Sequence, residues 1–317
     1  MGSASLPNFF VVGAPKAGTT ALYHYLDQHP GIYMSPIKEP AFFAADLIEY
    51  KRTLGTKEVD PAELRAFLDG PMIGKRAGVI DEWEQYQKLF KHVRHETAIG
   101  EASGNYLASA AAPAAIGKRL PHARILMILR DPVDRLFSQY SQALSHGEVG
   151  PDFLSWVEEQ WTAEQARTPR VGAVWNGFYA QHVRRYLDHF PADQVRVYLY
   201  QEYRQSPQSV LRDVFTFLNV DPDIAVDVSR RHNVTRQPRS ILLSRAAAPL
   251  QRALGGLLPA AVAARVRQVT HRRPRSLRAS ERAVVLEIYR DDIRELRSLV
   301  KSELSDWLSA SVRPGSS

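Results

Sequence analysis

The chain has 317 residues, 44% hydrophobic and 24% charged, with a formal charge of +7 and no cysteine. That length buries a full core in one large or two small domains, and zero cysteines exclude disulfides, thiol catalysis and cysteine-ligated metals. No apolar run reaches the roughly 18 residues of a membrane span. The first residues lack a basic-then-apolar leader pattern, so the expected location is cytoplasmic. The charge is local: Val228 to Ser280 holds twelve arginines, no lysine and no acidic residue, leaving the rest of the chain net acidic. That distribution suits an arginine surface facing an anion or a solvated helical face better than a globally basic nucleic-acid binder.

In chain order, Phe9 to Val12 reads as a short buried strand, closed by Gly13. The loop Gly13 to Gly18 then opens a helix with Thr19 and Thr20 in its first turn. A strand, a glycine-bounded loop and a helix N-terminus form an anion site, since free N–H groups and the helix dipole converge there. The spacing approaches the nucleoside-triphosphate loop G-x-x-x-x-G-K-[ST]. Here, however, Lys16 lies inside the loop and Thr19 stands where that motif has its lysine. The helix continues over Ala21 to Gln28 and stops at His29-Pro30-Gly31. Ile32 to Met34 is a strand, and the prolines at 36 and 40 make Ser35 to Phe43 an extended loop. Asp46 to Lys91 reads as charged surface helices, a candidate lid.

Ala98 to Tyr106 is a strand running into a turn, and the continuously apolar Arg124 to Leu129 is a buried parallel strand. Arg130 ends it, and Asp131-Pro132 supply a cap and a first-turn proline for a helix through Ser138 to about Leu144. Helical spacing returns over Trp175 to Phe190, strand alternation over Val195 to Tyr200, and a helix over Pro207 to Leu218. His232 to Ser240 is a polar basic loop, Ile241 to Val269 has helical spacing, and Ser280 to Leu308 forms one or two amphipathic helices. Strands alternating with helices define an α/β fold with a central parallel sheet.

Ligands of such sheets bind beyond the strands' carboxyl ends. Two ends carry polar groups here, Gly13 to Thr20 and Arg130 to Ser138, so a ligand with two separated phosphates is expected. The competing reading of Arg130 is an ion pair with Asp131 or Asp134. That of Glu39 is a surface pair with Lys38.

The run G-A-P-K-A-G-T-T, then K-E-P-A-F-F, then L-R-D-P-V-D-R-L-F-S-Q-Y resembles the PAPS-dependent sulfotransferases, in the branch of the heparan-sulfate sulfotransferases and their bacterial relatives. PAPS is 3′-phosphoadenosine 5′-phosphosulfate, and PAP is its product. The resemblance runs from Pro7 to about Leu308. It implies a P-loop-like three-layer fold with a helical C-terminal elaboration, in a single domain over 7–312. Within that domain, 241–279 is an arginine-rich helical insertion, and disordered tails are expected at 1–6 and 313–317. It further implies that Ala14, Pro15, Lys16, Ala17, Gly18, Thr19 and Thr20 hold the 5′-phosphosulfate, Lys16 meeting the leaving-group charge. Arg130 and Ser138 hold the 3′-phosphate, Arg236 and Arg239 close over the nucleotide, and Glu39 is the base. No metal is required.

Two positions depart from the family pattern. Ala102 stands where eukaryotic relatives carry a lysine after the glutamate, and Gly104 where bacterial relatives have proline. Lys38 or a nearby arginine can take the missing cationic role. The acceptor is expected to be a carbohydrate, a natural product or a lipid-linked molecule, with no nucleic-acid partner. The 241–279 segment is a candidate contact with anionic membrane. A P-loop kinase is the first alternative, weakened by Thr19 and by Arg130 at the place of a Mg²⁺ carboxylate. A non-catalytic arginine-rich binder is the second, and Val228 to Ser280 contains no aromatic residue for base stacking. His24 and His182 are the other candidate bases. Trp156, Trp161 and Trp175 read as core or cleft lining, and Phe42-Phe43 as packing that fixes Glu39.

Overall fold

The central strands of this protein, FFVVG and RILMIL, have no polar face, so each must be covered on both sides. The computed structural model describes residues 5–48, 60–74, 76–166, 171–229, 237–238, 271–272 and 275–311. In it, β1 (Phe9–Gly13) is followed by α1 (Thr19–Leu26), β2 (Ile32–Met34) and the short β3 (Ile37–Lys38). Then come α2 (Pro61–Asp69), β4 (Arg76–Ala77), α3 (Trp83–Lys88), β5 (Ala98–Ala102), α4 (Ala112–Arg119) and β6 (Arg124–Leu129). The second half contains α5 (Pro132–His146), α6 (Phe153–Gln165), α7 (Tyr179–Leu187), β7 (Val195–Leu199), α8 (Tyr200–Gln205) and α9 (Pro207–Leu218). Two-residue strands β8 (Gln237–Pro238) and β9 (His271–Arg272) pair antiparallel, and α10 (Ala279–Leu299) is the long C-terminal helix.

Five strands form one parallel sheet in the order β2-β5-β1-β6-β7. β1 is central, with Val11 opposite Ala102 of β5 and Gly13 opposite Met127 of β6. Every residue of β1 and β5 is buried, as are all but Arg124 in β6. Because β5 and β6 flank β1, the three carboxyl ends open at one place, the switch point where such sheets bind ligands.

Local chemistry sets the helix starts. Asp131 accepts from the N–H groups of Val133 and Asp134 with Pro132 at the first position, and Gly147 (φ 72°) ends α5. Pro207 opens α9, and Asn219 (φ 60°) closes it. α10 is tied to the core by polar contacts in addition to its buried Val285, Leu286, Tyr289, Ile293 and Leu296. Arg282, 1% exposed, pairs with Asp131 at 2.5 Å and Asp134 at 3.2 Å. The Asp292 carboxylate accepts the Ala180 N–H at 3.1 and 3.2 Å at the start of α7.

The central parallel sheet, flanking helices and helical C-terminal part match the sequence expectation. The regular elements missed were the helices α4, α6 and α8 and the two-residue strands β3, β4, β8 and β9, and the helix expected from Trp175 begins as a 3₁₀ turn and becomes α-helical only at Tyr179. Among the described residues no helix is long and apolar enough to cross a membrane. Residues 1–4, 312–317 and 241–270 lie outside the described residues, and with them most of the expected tails and arginine-rich insertion.

Candidate active site

The loop after β1 is curled by two left-handed residues, Lys16 (φ 67°) and Gly18 (φ 92°). Gly18 is required twice over: a β-carbon there meets Tyr200 Cε2 at 3.1 Å and Tyr203 Cε1 at 3.3 Å. The Ala14 N–H donates to the Ile128 carbonyl at 2.6 Å and the Ala17 N–H to the Ala14 carbonyl at 3.1 Å, so these two amides hold the loop in shape. The Gly18, Thr19 and Thr20 amides open α1, where no preceding turn supplies an acceptor, and they are the ones left for an anion. Lys16 Nζ donates to Gln142 Oε1 at 2.9 Å. Burial first, then the charges of Arg130 and Arg135, hold its pKa below the usual lysine value.

Arg130 leaves the end of β6 toward this loop. Its Nη1 donates to the Lys16 carbonyl at 3.3 Å, its guanidinium lies 4.9 Å from the Tyr200 ring centroid, and Tyr179 Oη donates to its carbonyl at 2.9 Å. Ser138 is half-buried on α5, one turn before Gln142 and on the same helix face. Lys16, Arg130 and Ser138 thus sit on adjoining elements. Asp131 and Asp134 bind Arg282, a partner 148 residues or more away that was invisible in the sequence.

Glu39 faces the loop from the other side. It is left-handed (φ 65°), as is Ala41 (φ 57°), and its N–H donates to the Ala102 carbonyl at 2.9 Å. Oε1 pairs with Lys38 Nζ at 2.6 Å, the side chains being 28% and 18% exposed, so this pair is partly buried, not a surface pair. Oε2 is buried with no hydrogen-bond partner. Gly104 reports the geometry across the gap: a β-carbon there would lie 3.5 Å from Glu39 Oε1, 3.6 Å from Thr19 Oγ1 and 3.7 Å from the Pro15 nitrogen. Glu39 and the loop therefore border one small volume.

Behind Glu39 lies a polar hub. The Glu101 carboxylate, fully buried, accepts from Tyr86 Oη at 2.5 Å, Ser103 Oγ at 2.6 Å and Tyr106 Oη at 3.2 Å. Ser103 Oγ also accepts the Ala41 N–H at 3.2 Å, and Tyr106 Oη the Phe43 N–H at 3.1 Å. Burial pushes Glu101 up to about 7, against the opposing hydrogen bonds and with help from the Glu39 charge. Phe42 stacks on Tyr86 at 4.7 Å, and Phe43 meets Phe10 edge-on at 5.6 Å.

His182 is fully buried, with Nε2 on the Trp175 carbonyl and Nδ1 against Arg185, and burial lowers its pKa to about 3. It is a core histidine. His24 is half-buried, edge-on to Tyr23. Trp156 packs on Tyr140 and Phe153, and Trp161 and Trp175 on Phe178. Arg236 and Arg239 lie outside the described residues. Glu101, Ser103, Tyr106, Tyr86, Gln142 and Tyr200 were not singled out as site residues from the sequence. Gln142, one helical turn beyond Ser138, was the findable one. Among the described residues no cluster of three or more His, Asp or Glu side chains is placed to hold a metal.

A parallel sheet whose central loop presents open amides, a half-buried lysine and a neighbouring arginine, opposite a glutamate, defines an α/β protein with a candidate anion site at its strand ends. A family model described as the sulfotransferase family matches residues 7–223, and the chain belongs to that family. The mouse (Mus musculus) bifunctional heparan sulfate N-deacetylase/N-sulfotransferase 4 is 31% identical over 223 residues, 68% of this chain and 23% of the relative. The human (Homo sapiens) form 3 is 30% identical over 221 residues, again 68% of this chain and 23% of the relative. The chain therefore spans under a quarter of the length of these curated relatives. The crystal structure of a sulfotransferase from Alicyclobacillus acidocaldarius superposes with a TM-score of 0.66 at 28% identity, covering 96% of this chain and 99% of that one.

Proposed function

We propose that the chain moves the sulfuryl group of PAPS to a hydroxyl or amine of a carbohydrate or other small acceptor, with Glu39 as the base. The observation that carries this is Glu39 across the Gly104 gap from the anion loop, its Oε1 bordering the gap and its Oε2 buried without a hydrogen-bond partner. The residues present fit the donor: open amides at Gly18 to Thr20 and Lys16 for its 5′ end, and Arg130 with Ser138 for its 3′-phosphate. When bound, PAPS supplies an activated sulfuryl group on a phosphate leaving group.

Glu39 takes the acceptor's proton as the acceptor atom bonds to sulfur and the bond from sulfur to the phosphate oxygen breaks. Lys16 meets the charge left on that oxygen, a role suited to a desolvated site where charges interact strongly. Lys38 holds Oε1 and leaves Oε2 for the proton. The products are the sulfated acceptor and PAP. Ala102 supplies no cation at the reacting centre, and Lys38 is the one beside the base.

The test is transfer from ³⁵S-labelled PAPS to a panel of hydroxyl and amine acceptors. Wild type should label at least one acceptor class. Glu39→Gln should lower turnover by about 10²–10⁴-fold, the range for general-base loss, with PAP affinity unchanged. Normal turnover in Glu39→Gln removes Glu39 from the mechanism.

A further inference from the structure

α5 carries a second arginine, one helical turn after the cap. Arg135 is fully buried. Its Nη1 donates to Gln139 Oε1 at 2.8 Å, Nη2 donates to the Ala173 carbonyl, the Tyr289 hydroxyl lies against it, and Nε has no partner. Among the described residues it makes no ion pair. The acidic groups nearest in the chain and on the facing segment are otherwise engaged. Asp131 and Asp134 bind Arg282, and the Glu164 oxygens accept the Val174 and Trp175 amides at 3.0 and 2.7 Å. A buried cation held only by neutral partners is costly, so a protein that keeps one needs a compensating anion or a reason of fold.

The position of Arg135 points to the anion. Arg135, Ser138 and Gln142 stand at i, i+3 and i+7, one face of α5, and Gln142 holds Lys16 Nζ at 2.9 Å. The face that buries Arg135 is therefore the face that borders the loop. We propose that Arg135 is an electrostatic positioning residue, a buried charge that the phosphates of the bound nucleotide neutralise from across the α5 surface. This rests on the functional reading above. It also accounts for the grouping of Lys16, Arg130 and Arg135 in one corner: the three repel until a polyanion enters. The depressed Lys16 pKa, to which Arg135 contributes, is the same repulsion seen from the loop. The competing role for Arg135 is mechanical, tying Ala173 to α5 by hydrogen bonds alone.

Charge and mechanics separate in two variants titrated with PAP and with AMP, which carries one phosphate fewer. Arg135→Lys keeps the charge and loses the planar fork, while Arg135→Gln keeps a hydrogen-bonding group and loses the charge. Arg135→Gln should weaken PAP by about tenfold, the scale of one charge at moderate distance in a partly polar medium, and AMP by less. Arg135→Lys should stay within about threefold of wild type for both. A Gln variant that binds PAP like wild type overturns the proposal. So does a Lys variant that loses as much as the Gln variant, or an equal loss for PAP and AMP. Should Arg135→Gln not fold, the Lys variant decides: near-native PAP binding supports the charge role, and a tenfold loss overturns it. Absence of PAP binding to wild type is a different result, which overturns the functional reading itself.

Discussion

The Glu39 carboxyl, the proposed base, is positioned by backbone, and the backbone by buried hydroxyls. Glu39 and Ala41 both occupy left-handed conformations, which cost a non-glycine residue about 1 kcal/mol or more unless the surroundings hold them. Ser103 and Tyr106 do so through the Ala41 and Phe43 amides, and Glu101 orients both hydroxyls. Tyr106→Phe removes the acceptor for the Phe43 amide and one donor to Glu101, leaving a buried polar group unsatisfied at about 1–3 kcal/mol. Hydrogen exchange should rise over residues 39–43 while PAP affinity holds, and unchanged exchange there would show that the hub does not hold Glu39. Lys16 and Glu39 were legible in the sequence because short motifs surround them. Glu101 was not: in AIGEA it reads as one polar position in a strand, and only the fold brings Tyr86 and Tyr106 onto it.

At the scale of elements, α5 does two jobs. Its face toward the loop carries Ser138 and Gln142, and its N-terminus is fastened to α10 by the Arg282 pairs with Asp131 and Asp134. Asp131 is at once the helix cap and a member of that buried network, so its charge is satisfied from two sides. Arg282→Leu leaves two buried carboxylates without their cation and should lower the unfolding free energy by about 3–5 kcal/mol in urea titration. A loss under about 1 kcal/mol would place the fastening elsewhere, in the apolar face of α10. The cap at Asp131-Pro132 was visible from residue types three positions apart. Its ionic partner was not, because no local pattern links residue 131 to residue 282. The same limit explains why Asp131 stood as a candidate partner of Arg130. The helices α4 and α6 were overlooked for another reason: α4 is rich in alanine, and α6 shows little contrast between its faces.

For the whole molecule, the buried Glu101 and His182 and the half-buried Asp292 shape the pH response. Burial holds Glu101 and Asp292 up to about 7, against ordinary values of 4.5 and 3.8. Between those limits the folded state keeps protons that the unfolded chain has released. Their stability contribution is therefore fullest at acid pH and is lost as pH rises through about 7. His182, lowered to about 3 from 6.5, acts the other way: its contribution is present above 6.5 and is lost as pH falls toward 3. The raw curve mixes both, so the readout is wild type against Glu101→Gln. From pH 5 to 8 the wild type should lose about 2–3 kcal/mol relative to that variant, and a constant difference would contradict the raised Glu101 value.

At this scale too, the parallel sheet and the convergence of its strand ends follow from apolar runs and their alternation with helices. The acceptor side does not, because it depends on how β3, β4 and the segment around Glu39 fold over the sheet edge.

The central claim is that the loop around Lys16 is shaped for a nucleotide bearing a 3′-phosphate and a 5′-phosphosulfate, and not for a triphosphate with its metal. Calorimetric titration of the wild-type chain with PAP, and separately with ATP and Mg²⁺, tests it directly. One PAP per chain should bind, undiminished by chelator and weakened by about 1.5–3 kcal/mol, a charge-assisted hydrogen bond, in Arg130→Ala. Tight ATP·Mg²⁺ binding with no PAP binding would contradict it and return the loop to the kinases.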